Sequence, residues 1–118
     1  MANEHMRTAA SNLERAMNDL QLYKNELRKA LEDLKRTTNE RLKEIERQEQ
    51  QARYDQTQSD SDQRRAQDSN TIRDVEREKA DLTQQLNEQQ KHTDQQMHLA
   101  DQNYAKIMEF IKDLQVMV

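Results

Sequence analysis

Residues 47–71 read RQEQQARYDQTQSDSDQRRAQDSNT. From Arg47 to Thr71 there is no Leu, Ile, Val, Met or Phe, and no Gly or Pro. Regularly spaced apolar residues flank this stretch on both sides. A loop here would make two helices, whereas a helix here would make one. SDSD at Ser59–Asp62 and DSNT at Asp68–Thr71 are loop cues, because short polar side chains compete for backbone hydrogen bonds. Thr71-x-x-Asp74 also has the form of a capping box that starts a helix. Thr37-x-x-Glu40 has the same form inside a clean apolar repeat, so the motif does not discriminate. A structureless loop over residues 53–71 without Gly or Pro runs against common connection lengths. The stretch therefore reads as helix, with a helical hairpin and a disordered hinge as alternatives. A continuous helix would be about 170–180 Å long at the usual rise per residue.

Composition points the same way. Of 118 residues, 32% are hydrophobic, 3% aromatic and 36% charged. That is too little bulky apolar material to offset the ordering entropy of a globule. Disordered chains share this poverty but are usually rich in Pro and Gly. This chain has neither. In a helix interior those residues cost about 3 and 1 kcal/mol relative to Ala. The formal net charge is −4. Basic residues outnumber acidic ones in none of the segments 1–52, 53–71 and 72–118. A nucleic-acid or anionic-membrane surface thus has no electrostatic footprint. There is no cysteine, hence no disulfide or thiolate chemistry. No apolar run is long enough to span a membrane, and the N-terminus lacks the apolar core of a secretion signal. The expected setting is cytoplasmic, with cytoskeletal association compatible.

Outward from the polar centre the apolar residues recur at steps of three and four, the pattern of a coiled-coil seam. The first stripe is Met6, Ala10, Leu13, Met17, Leu20, Lys24, Leu27, Leu31, Leu34, Thr38, Arg41, Ile45, Gln48 and Ala52. The second starts Ile72, Val75, Lys79, Leu82 and Leu86, and thins from Gln89 to Asn103. Beyond that, two registers fit. One runs through Thr93, Gln96, Ala100, Asn103, Ile107, Phe110, Leu114 and Met117. The other runs through Met97, Ala100, Tyr104, Ile107, Ile111, Leu114 and Val118, and needs a four-residue stutter. The expected organisation is one coiled-coil rod over residues 1–118. Its parts are an N-terminal heptad segment (4–52), a polar centre (53–71) and a C-terminal heptad segment (72–118).

An amphipathic helix this long needs a partner, since packing supplies most helical stability. In a parallel in-register pair, Lys24, Arg41, Asp55 and Asp62 would each face their own copies. In an antiparallel pair the apolar halves meet as Leu13/Leu114, Met17/Phe110, Leu20/Ile107, Leu27/Ala100, Ile45/Leu82 and Ala52/Val75. Lys24 then meets Asn103, and Asp62 meets Arg65 twice at a charged waist. The expected fold is all-α, a two-stranded coiled coil formed as an antiparallel homodimer, with a parallel dimer and a hairpin as alternatives. The N-terminal interface residues are Leu13, Met17, Leu20, Leu27, Leu31, Leu34, Ile45 and Ala52, followed by Asp62 and Arg65 at the waist. The C-terminal ones are Ile72, Val75, Leu82, Leu86, Ala100, Ile107, Phe110 and Leu114.

No catalytic, cofactor or metal site is expected. Catalysis needs a concave pocket that excludes water, and a two-stranded rod has none. Asp94, His98 and Asp101 share one helix face, but that face reads as solvated. The C-terminal IMEFIKDLQVMV is more apolar than a two-stranded seam requires. Its Met108, Phe110, Ile111, Val116 and Met117 form a candidate patch for a partner helix. The functional expectation is therefore not an enzyme. It is a dimerising structural rod of a cytoskeletal, filament or organelle scaffold. The alternative is an adaptor or stalk of a motor, tether or secretion apparatus that holds another coiled-coil protein through the C-terminal patch.

Overall fold

The computed structural model describes the backbone of residues 2–117 and the side chains of residues 4–116. It contains two helices, α1 (Ala2–Gln58) and α2 (Asp62–Met117), joined by Ser59, Asp60 and Ser61. No strand occurs among the described residues. The helix expected to run unbroken through residues 53–71 is thus interrupted at three of them. Of the arrangements open to the sequence, the chain takes the helical hairpin.

The break is made by serine chemistry rather than by a glycine. No described residue has a positive φ. The Ser61 N–H donates to Ser59 Oγ at 3.3 Å, and the Arg64 N–H donates to Ser61 Oγ at 3.4 Å. Ser61 is therefore the N-cap of α2, satisfying a donor that the helix itself leaves free. Asp62 adds a carboxylate to the first turn, the favourable sign at that end. At the end of α1 no basic residue stands in the last turn. The positive charge comes instead from the next helix, where Arg65 Nε donates to the Ser59 carbonyl at 2.8 Å. Ser59 itself is buried.

Elsewhere the Thr motifs act as mid-helix residues. Thr37 Oγ1 donates to the Asp33 carbonyl at 2.9 Å, and Thr71 Oγ1 to the Gln67 carbonyl at 3.1 Å. Both hydroxyls bond backward along a continuing helix, so neither Thr starts one.

The hairpin divides into two compact units. The turn unit, Glu32–Gln90, has a core of Ile45, Ala52 and Val75. Thr38 and Ser59 are its buried polar residues. The covered residues of α1 here include Thr38, Leu42, Ile45, Glu49, Ala52 and Gln56, with Glu44 half-covered at the edge. Arg41 and Gln48, expected on the seam, are exposed, and Leu34 lies at the exposed edge while Lys35 is half-covered. The stripe has taken consecutive four-residue steps, Leu27–Leu31–Lys35. An α-helix drifts about 20° per heptad against a strict seven-residue repeat, and an extra four-residue step absorbs that drift.

The chain-end unit comprises Met1–Leu31 and Lys91–Val118. Its α1 stripe is the expected one, with Met6, Ala10, Leu13, Met17, Leu20, Lys24, Leu27 and Leu31 half-buried. On α2 the covered residues are Thr93, Met97, Ala100, Tyr104, Ile107, Ile111 and Leu114, with Gln96 half-covered beside them. This is the stuttered register. Ala100 and Ile111 are buried, whereas Asn103 and Phe110 are exposed.

Candidate interaction surface

A two-helix hairpin has one seam and two flanks, so any binding chemistry lies in how the seam is sealed and what the flanks expose. In the turn unit the seam is edged by charge. Arg41 Nη2 lies 2.7 Å from Glu78, Lys79 Nζ lies 3.5 Å from Glu46, and Arg53 Nη2 bridges Glu49 at 2.9 Å and Glu76 at 2.8 Å. The Arg53 guanidinium is raised above its ordinary pKa, first by the Glu49 hydrogen bond. Arg47 is raised likewise by its hydrogen bond to Glu44. Both arginines are exposed, so these pairs orient side chains more than they stabilise the fold. Along the helices Glu26/Lys29, Asp33/Arg36, Glu44/Arg47 and Glu49/Arg53 pair, while Lys79 crosses to Glu46 on the other helix.

In the chain-end unit Lys24 occupies a seam position. Its side chain is 13% exposed, and its Nζ reaches out to Asp101, which is 57% exposed. The expected partner was Asn103. The stem is thus buried while the ammonium stays at the edge. Lys24→Leu is expected to stabilise the hairpin by about 1 kcal/mol, because it exchanges a buried polar layer for an apolar one and leaves Asp101 in water. A thermal melt followed by circular dichroism measures this. A lowered midpoint would mean that the ion pair outweighs the buried stem.

The flank opposite the Lys24–Asp101 pair differs in character. Ala16, Asp19, Leu20 and Tyr23 from α1 line one open groove with Asn103, Lys106 and Ile107 from α2. The Tyr23 hydroxyl donates to Gln96 Oε1 at 3.4 Å on this flank. Helical spacing continues the α2 row from Gln96 through Leu99, Asn103 and Lys106 to Phe110. Leu99 and Phe110 are both exposed, Phe110 to 60%.

Most residues expected at an interface form the seam of the hairpin. Ile45, Ala52, Val75 and Ala100 are buried; Leu13, Met17, Leu20, Leu27, Leu31, Ile72, Leu82, Leu86, Ile107 and Leu114 are half-buried. Leu20 and Ile107 line one groove. Leu34 and Phe110 are exposed instead. Met17 lies with Met108 and Ile111 rather than facing Phe110. Asp62 and Arg65 are both exposed on the first turn of α2, where Arg65 is engaged by Ser59. Of the C-terminal patch, Met108, Phe110 and Val116 are exposed, Ile111 is buried, and the Met117 side chain lies outside the described residues. Sequence reasoning missed Leu42 and Gln56. Leu42 was visible as an apolar neighbour of the misplaced Arg41. Gln56, whose Nε2 donates to Ser69 Oγ, gave no signal.

Among the described residues no group of His, Cys, Asp or Glu side chains is placed to hold a metal ion. Asp101 accepts from Lys24, and His98 Nε2 pairs with Gln102 Nε2 at 3.2 Å. No described helix is long and apolar enough to cross a membrane. Comparison with protein-family models, with curated proteins and with solved structures returned no match to this chain.

Proposed function

We propose that the chain is a structural, self-associating module, a cytoplasmic coiled-coil segment of a cytoskeletal, filament or organelle scaffold, built as a hairpin that pairs with a second copy. The observation that carries this reading is incomplete burial. Leu13, Met17, Leu20, Leu27, Leu31, Ile107 and Leu114 are only half-covered by the hairpin's own second helix. Further apolar side chains stand on its flanks. Covering them against another copy would lower the free energy by roughly 25 cal/mol for each Å² of apolar surface removed from water. The hairpin and the extended antiparallel homodimer make similar contacts and are related by a domain swap. The adaptor or stalk reading retains one specific support, the exposure of Phe110 and Val116, the latter to 87%, near the end of α2. No catalytic role belongs to either reading. Sedimentation equilibrium of the isolated chain at micromolar concentration is expected to report twice the chain mass. A monomer at that concentration would reject self-association and turn attention to a heterologous helix.

A further inference from the structure

We propose that the Tyr23 flank of the chain-end unit is the surface on which the second copy docks, with α1 of one copy lying along α2 of the other in the opposite direction. This rests on the self-association proposed above and names its surface. Along α1 the flank presents Ala9, Ala16, Tyr23 and Ala30, seven residues apart. Along α2 it presents Gln96, Leu99, Asn103, Lys106 and Phe110. Leu20 and Ile107 face one groove. Lys24 reaches Asp101 across the seam, so Ala16, two turns before Lys24, stands within about one turn of Phe110, which lies nine residues beyond Asp101. A small residue thus stands within about one turn of a large exposed one.

A twofold axis running along the hairpin exchanges the two rows. Phe110 of each copy then fills the space above Ala16 of the other. Asp19 and Lys106 behave in the same way. They line the same groove, they carry opposite charge, and neither is ion-paired within the chain among the described residues. The axis sets Asp19 of each copy against Lys106 of the other, twice. The flank holds both halves of each match, large with small and acid with base, and an isologous interface requires that self-complementarity. On the opposite flank the Lys24–Asp101 pair is closed within the chain, and Glu14 and Lys112 lie beside the exposed Met108.

The test uses two charge reversals that share no chain. Asp19→Lys and Lys106→Asp lie at exposed positions, so each variant should keep the parent's helical circular dichroism. Alone, each sets like charges opposite each other twice, and its dimer should dissociate about tenfold more readily than the parent. Mixed in equal amounts, the two variants restore both opposite-charge pairs between unlike chains. Sedimentation should then show the dimer returning as a mixed species. Unchanged dimers for the single variants, or no recovery on mixing, would remove this flank while leaving self-association standing. A parent that stays monomeric would remove both.

Discussion

Replacing Ile45 with Ala is expected to cost about 2–5 kcal/mol, the range for emptying a buried aliphatic site. Ile45 is the one large side chain among the described residues with no accessible surface. Ala52 and Val75 also form the core of that unit and are smaller, so they cannot expand to fill the space. The seam is a single row, and a cavity there cannot be closed by a second layer. Helical domains hold only a few kcal/mol in reserve, so a loss of this size should lower the thermal midpoint by on the order of 10 °C. Part of the helical circular dichroism should also be lost at room temperature. Leu22→Ala is the control. Leu22 is equally apolar but 60% exposed, on the outer face of α1, and its truncation should stay within about 0.5 kcal/mol of the parent. Equal melts for the two variants would mean that Ile45 does not anchor the seam.

How far the sequence was legible depends on which physical signal each residue carried. Leu20, Leu27, Ile45, Val75, Leu82 and Ile107 were readable because apolar residues at steps of three and four have one place to go. The phase of the seam near Leu34 and Arg41 was not. The choice between Leu34 and Lys35, or Arg41 and Leu42, turns on about 20° of helix drift per heptad, which residue type alone does not encode. At the C-terminal end both registers shared Ile107 and Leu114. The structure decides between Phe110 and Ile111 by covering Ile111. The polar centre departs from expectation for a different reason. A break does not need a loop over residues 53–71; three residues suffice, well inside the usual helix–helix connection. The absence of Gly and Pro argued against a break. Yet Ser59 and Ser61 make one with ordinary backbone angles, using their hydroxyls in place of helical hydrogen bonds.

That turn is the point at which hairpin and extended dimer part, so its residues should control which one forms. Changing Ser59, Asp60 and Ser61 together to Ala removes the Ser61 cap and the Ser59 hydroxyl that receives the Ser61 N–H. It also supplies three residues of the highest helix propensity. The lost cap alone costs about 1 kcal/mol. Each residue recruited into a continuous helix gains a backbone hydrogen bond. The expected product is a domain-swapped antiparallel dimer in which α1 runs into α2 and each seam is completed by the other chain. Two labels separate the forms. Ser11 and Gln115 are exposed and border the same groove, so cysteines placed at both positions should give a short label-to-label distance in the parent. That distance should persist when labelled chains are unfolded and refolded in excess unlabelled chain, because both labels belong to one hairpin. In the alanine variant the same dilution should abolish the short distance, since the nearby label then sits on the partner. A short distance that survives dilution in the variant would show that the fold-back is held by the seam itself. In that case the serines only decorate the turn.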